Sequence, residues 1–258
     1  MALRGGEADA AGFTLVRIAA GAITLIVISY FAGSGKDSEI WKRGNWISAF
    51  FLFAYAICFS FAYLGLTAGT GALILFGSVQ LTMVLMSLIR GEQPKSIEWA
   101  GLLLAVGGLV YLVFPGLSSP PLTSSLLMAA AGAAWGGYTL RGRGSSSPLA
   151  DTTGNFTLAL PMAVIAAIVY WSGVHLSKEG ILLAVLSGAA ASGIGYTVWY
   201  AAQRFHSSTS AAVLQLAVPV LTAAGGILFL AESATMRLYI AAGLILGGIL
   251  STIFARKE

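Results

Sequence analysis

Apolar residues in this chain come in runs of about 20, the length that crosses a bilayer as a helix. They do not alternate as in a half-buried strand, nor form the one-sided stripe of a soluble helix. Nine runs are predicted to span: 13–33, 46–64, 70–89, 97–115, 123–140, 153–173, 180–202, 209–230 and 237–255. The links between them are short and carry turn chemistry, such as Gly33-Ser34-Gly35, Ser118-Ser119-Pro120-Pro121 and Gly142-Arg143-Gly144. They leave no room for a soluble domain. The expected fold class is an all-α membrane protein with nine transmembrane helices.

The pattern repeats. Glu92 precedes a helix carrying Gly107-Gly108, and 140 residues later Glu232 precedes one carrying Gly247-Gly248. The helices before each glutamate also align, Gly71 with Ala211 and Ala72 with Ala212. Gly12-Phe13-Thr14-Leu15 is echoed by Asn155-Phe156-Thr157-Leu158 at an offset of 143. The predicted repeats are residues 1–117, with four helices, and 118–258, with five. Segment one and its counterpart, segment six, cross in opposite directions, so the repeats are inverted. Carriers whose two faces open in turn are built this way. The first segment is too long for a signal-peptide core and has a repeat counterpart, which a cleaved leader would lack.

Composition sharpens this picture. Of 258 residues, 57% are hydrophobic and 9% charged, against about a quarter charged in soluble domains. The net charge of +4 is spread singly or in pairs between apolar runs, which excludes a nucleic-acid surface. With the C-terminus cytoplasmic, ten basic residues fall inside and four, Arg4, Arg17, Lys178 and Arg237, outside. A single cysteine, Cys58, excludes an intramolecular disulfide, and two histidines, His175 and His206, are too few for zinc. Neither a phosphate-binding loop nor a nucleophile elbow is present. No enzyme activity and no cofactor are expected.

Polar and aromatic residues inside the spans are the candidate site. Gln80 in segment three and Gln215 in segment eight are buried amides; each either faces a solute or bonds a neighbouring helix. Tyr196, Trp199 and Tyr200 share a helical face that either stacks on a solute or packs the bundle, and Tyr55 and Tyr63 lie on segment two. Trp135 and Tyr138 share a face of segment five, while Asn155 reads as a helix cap. No acidic residue sits mid-span, which argues against a carboxylate proton relay. No Lys or Arg sits mid-span in segments three or eight, which disfavours phosphate cargo.

Four residues are assigned structural or gating roles. Glu92 and Glu232 close segments three and eight against the helix dipole. Each needs a basic partner, a capping role or interfacial water. Arg17, read at the outer end of segment one, is the partner suggested for Glu232. Pro219 frees a carbonyl near Gln215, and Pro161 acts likewise in segment six. Gly132/Gly136 and Gly243/Gly247 are spaced for close helix contact.

The chain resembles the EamA-type unit of the drug/metabolite transporter superfamily. The residues that carry the resemblance are Ala134-Trp135-Gly136, Tyr200 to Ala212, Pro219, Leu230-Ala231-Glu232, Gly243 and Gly247-Gly248. In the first half, Arg17, Tyr63, Gly69 to Ala72 and Gly91-Glu92 keep the same order. The resemblance implies a secondary transporter of amino acids, metabolites or drug-like amines, working as an exporter in a bacterial inner membrane. It also places Trp135 near the cavity. Members usually have ten helices, and the first is missing here. Either the chain starts upstream, or nine helices suffice with an outside N-terminus. A homodimer or a partner chain would then supply the absent helix. The alternative function is a non-transporting membrane scaffold, or a subunit of a heteromeric transporter. Beyond these, the partners expected are the lipid bilayer and a small-molecule solute.

Overall fold

The computed structural model describes residues 2–3, 5–32, 43–89, 96–114, 119–142, 145–173, 175–196, 225–231 and 235–255, and single residues 198, 218, 222 and 233. Among these residues the regular structure is helical. The helices are α1 (Ala10–Phe31), α2 (Trp46–Ala62), α3 (Ala68–Ile89), α4 (Ser96–Val113), α5 (Leu122–Gly142), α6 (Pro148–Val169), α7 (Lys178–Leu186) and α8 (Met236–Ala255). A helical stretch also covers 225–230. The rest of the predicted eighth segment lies mostly outside the described residues.

Most limits fall within a few residues of those expected. The larger shift is in α6, which starts at Pro148 rather than 153. Proline suits a first helical turn, where its missing N–H would be unpaired anyway. The helix then runs uninterrupted through Pro161. At 22 residues each, α1 and α6 reach roughly 33 Å and are apolar enough to cross a membrane.

Contacts divide the chain into two compact units. The first joins Met1–Leu64 to Tyr138–Phe205; the second joins Gly65–Gly137 to His206–Glu258.

The first unit packs α1, α2, α6 and α7. Ser29, near the end of α1, meets Thr153, near the start of α6, with hydroxyl oxygens 2.9 Å apart. Those two helices are therefore antiparallel. At the other end, Asp9 caps α1 by accepting the Gly12 N–H at 2.8 Å, and its second oxygen accepts the His175 N–H at 2.9 Å. The Asp9 N–H donates to the His175 carbonyl at 2.8 Å, and Ser177 N–H to the Glu7 carbonyl at 2.8 Å. This staple ties the starts of α1 and α7 together and makes them parallel.

The staple also sets the register along α7. Gly188 lies on the carbonyl of Arg17, and Gly193 lies beside Thr24. Between them the chain is π-helical, Ser187–Ile194. In a helix bonded i→i+5, residues five apart come onto one face. Both glycines can therefore press against α1.

Burial is reversed from a soluble bundle. On α6 the buried side is Thr152, Thr153, Asn155, Phe156, Ala159, Ala163 and Ala167, while Val164, Ile165 and Ile168 are exposed. Apart from Phe156, small and polar residues of α6 face neighbouring helices and large apolar ones face outward, the arrangement expected in lipid.

In the second unit, α4 and α8 run antiparallel. Gly108 lies on Leu244 and Ile245, and Gly248 lies on Gly101 and Ala105. These contacts are reciprocal at the 140-residue spacing, since Ala105 and Ile245 are themselves counterparts. Gly132 and Gly136 bring α5 onto α3 at Ser78 and Thr82, as their spacing suggests. For α8 the close contact belongs to Gly248 instead of the Gly243/Gly247 pair. A side chain at Gly243 would meet nothing within 4 Å.

A methyl group at Gly188 or Gly248 would collide with the facing backbone, and one at Gly243 would not. Gly188→Ala and Gly248→Ala should each cost about 1–3 kcal/mol, the usual penalty of overpacking. Gly243→Ala should be neutral. Thermal unfolding in detergent micelles checks the contrast.

Candidate functional site

Because Asp9 caps it, α1 begins at Ala10 and carries Arg17 about two turns inward. Arg17 is therefore not at the helix end, where the sequence reading placed it. Its side chain is buried, with 8% exposure. One guanidinium nitrogen, Nη2, donates to the Tyr55 hydroxyl at 3.2 Å. The guanidinium carbon lies 4.9 Å from the centre of the Phe59 ring and 5.4 Å from that of Tyr55. The other nitrogen, Nη1, is buried and has no hydrogen-bond partner among the described residues.

Helical spacing builds this enclosure. Tyr55, Phe59 and Tyr63 are four residues apart and share one face of α2. Their rings meet in series, the first pair tilted and the second edge-on, with centroids 5.5 Å and 4.7 Å apart. Thr14, one turn before Arg17, has its hydroxyl oxygen 2.7 Å from Ala10 O and 2.8 Å from Ser60 Oγ, and the second contact fixes α1 against α2. Tyr63 also packs on the apolar cluster of Phe13 and Ala184. Beyond the π-helical segment, Tyr196 meets Phe156 edge-on at 6.0 Å. Tyr63 and Tyr196 both lie within electrostatic range of Arg17. Ring faces stabilise a desolvated cation, but they do not replace the hydrogen bonds that water would give it.

A second polar region lies where α2 and α6 begin. It is a cavity of about 250 Å³, lined by Arg43, Asn45, Ser48, Tyr138, Arg141, Asp151, Thr152 and Asn155 among others. Asn45 caps α2, accepting from Ile47 and Ser48 N–H at 3.0 and 3.2 Å. Arg141 donates to the same Asn45 oxygen and to Ser48 Oγ, each at 3.0 Å. Asn155 is not a cap of its own helix, because α6 starts seven residues earlier. Its side-chain oxygen accepts the Asn45 N–H at 2.9 Å, and its amide donates to Tyr138 at 3.4 Å.

The predicted residues are thus distributed unevenly. Arg17, Tyr63 and Tyr196 come together in the first unit. Gln80 and Trp135, both half-buried, belong to the second. Gln215, Trp199, Tyr200, Pro219, Glu92 and Glu232 lie outside the described residues, so the suggested Arg17–Glu232 pair does too. Phe59 was not singled out from sequence, although its place midway between Tyr55 and Tyr63 was a visible signal.

Asn155→Ala would leave the Asn45 N–H without its acceptor and should cost roughly 1–3 kcal/mol. Thr157→Ala removes only a bond to its own helix, at Thr153 O, and should stay within about 0.5 kcal/mol. Equilibrium unfolding in micelles separates the two.

Comparison with known proteins points the same way. Residues 122–254 match the EamA-like transporter family. An uncharacterized protein of Pseudomonas aeruginosa is 45% identical over 96% of this chain and 85% of its own length. An uncharacterized transporter of Archaeoglobus fulgidus is 29% identical over 71% of this chain and 70% of its own. A protein of known crystal structure aligns with a TM-score of 0.66 at 21% identity, over 95% of this chain and 88% of that one, and shows likeness of fold alone. The apolar exteriors of α1 and α6 accord with an integral membrane protein. The chain belongs to the EamA-like transporter family.

Proposed function

We propose that the chain is a secondary transporter that exports a small organic solute by alternating access. One observation carries this reading beyond the family: the buried Arg17 guanidinium, with one nitrogen unpartnered among the described residues of an apolar bundle. An ionisable group in such a place is costly, and by default it marks a solute pathway. Buried polar groups that only tie helices together mostly have their hydrogen bonds satisfied.

The repeat reading belongs to the same proposal. Nine helices in two inverted repeats, 1–117 and 118–258, are supported by the antiparallel course of α1 and α6. The reciprocal contacts of Gly108 and Gly248 support them as well. The alternation of basic links, ten residues against four, supports a cytoplasmic C-terminus in a bacterial inner membrane. Gln80 and Gln215 are proposed to orient the solute, and Tyr63, Tyr196, Trp199, Tyr200 and Trp135 to pack against it. Glu92, Glu232 and Pro219 remain candidates for gating. Amino acids and related metabolites fit a set of neutral, aromatic and guanidinium groups.

Counterflow in proteoliposomes, with a mixed panel of labelled amino acids, amines and aromatic metabolites, tests the reading. At least one solute should accumulate above protein-free vesicles. Gln80→Ala should slow its initial rate about tenfold, the equivalent of one lost hydrogen bond of about 1.4 kcal/mol. A well-folded protein that moves none of the panel would point to the scaffold alternative.

A further inference from the structure

We infer that the transported solute carries a carboxylate and that Arg17 is the group that receives it. The inference rests on the transporter reading above and narrows its substrate class. Three observations carry it.

The first is the hydrogen-bond account of the guanidinium. Nη2 is held by a neutral phenol, the Tyr55 hydroxyl at 3.2 Å, and Nη1 by no described residue. Among the described residues no carboxylate pairs with Arg17. A guanidinium presents parallel N–H groups that match the two oxygens of a carboxylate. Tyr55 then acts as an occupant that gives way. Its hydroxyl accepts from Nη2 when the site is empty and gives up that nitrogen when a carboxylate arrives.

The second is the use already made of the aromatic faces. The rings of Tyr55 and Phe59 are the surfaces that would hold an organic amine, and Arg17 lies over both. An arriving amine would meet a like charge with the π faces taken. An anion would meet an opposite charge at low dielectric, where the attraction is strongest.

The third is the surroundings. The described charged groups of this unit, among them Asp9, Arg43, Arg141 and Lys178, lie at helix ends. One cation suits a monoanion; a phosphate dianion would want a second. Phe59, Tyr63, Phe156 and Tyr196 supply rings for an apolar body. Arg17 is closed over in this state, so the Tyr55 ring must move before a solute can reach it. The uncompensated cation favours entry of the anion, and the missing second cation lets the anion leave.

The test is calorimetric binding to the full chain in micelles, with three probes that differ only at the head: phenylacetate, phenylacetamide and phenethylamine. Phenylacetate should bind at least tenfold more tightly than either of the others. Arg17→Gln should erase that preference. Arg17→Lys, a point charge without the planar fork, should reduce it several-fold. Tyr55→Phe removes the competing acceptor and should raise the acid-to-amide ratio. If Arg17→Gln does not fold, Arg17→Lys and Tyr55→Phe carry the test. A role confined to tying α1 to α2 predicts that both lower the melting temperature without moving the ratio, which would overturn the inference. So would phenylacetate that fails to bind, equal binding of all three probes, or an acid preference that survives Arg17→Gln. If the solute panel is transported while the acid preference is missing, the transporter reading stands and this inference falls. If no solute moves and no acid binds, both fall.

Discussion

A bilayer offers no water to a polar group between helices, so each such group must find a partner on another helix or remain costly. Most of the first unit obeys this constraint closely. Thr14 meets Ser60, Ser29 meets Thr153, and the Asn155 oxygen takes the N–H of Asn45. Apolar attraction between helices is weak in lipid, so packing depends on close approach. Gly188 against α1, and Gly248 against α4 in the second unit, supply that approach. Many large side chains are left for the outward faces, such as Val164, Ile165 and Ile168 on α6.

Among the described residues of the first unit, Arg17 Nη1 is where the constraint is not met, as Arg237 Nη1 is in the second. Aromatic rings soften the cost of burying Arg17, and one phenol satisfies one nitrogen, but Nη1 has no acceptor among the described residues. Membrane proteins keep such groups where something arrives to complete them. The staple between Glu7–Asp9 and His175–Ser177 positions α7, which brings Tyr196 toward the same place. Local capping, helix register and the proposed site are therefore one chain of cause. Asp9 starts α1 early, the early start carries Arg17 inward, and the face of α2 closes over it.

Much of the helical layout was legible because a 20-residue apolar run has few other uses. The family was legible too, from the order of small motifs such as Ala134-Trp135-Gly136 and Gly247-Gly248. The depth of Arg17 was missed because the run was read from Phe13, whereas the capping carboxylate of Asp9 and a staple to residues 166 positions away start the helix at Ala10. The role of Asn155 was missed for a related reason. Its neighbours suggest a helix start, but Pro148 begins the helix and the partner of Asn155 is on α2. The gathering of Tyr55 and Phe59 onto Arg17 depends on the register between helices, which periodicity within one helix does not contain. Gly248 was recognised as half of a repeated pair, yet Gly243/Gly247 looked equally suited to contact. Only the partner helix decides which glycine meets backbone.

The central claim is the proposal that Arg17 becomes reachable in turn from the two sides of the membrane. Thr14 sits one turn from Arg17, is fully buried, and resembles cysteine in size. The only native cysteine, Cys58, can be replaced by alanine to leave a single reporter. Alkylation of Thr14→Cys by a membrane-impermeant maleimide, in right-side-out and inverted vesicles, tests the claim most directly. The account predicts labelling from both sides and protection by a transported solute. Labelling from one side only, or from neither, in a folded protein would contradict it.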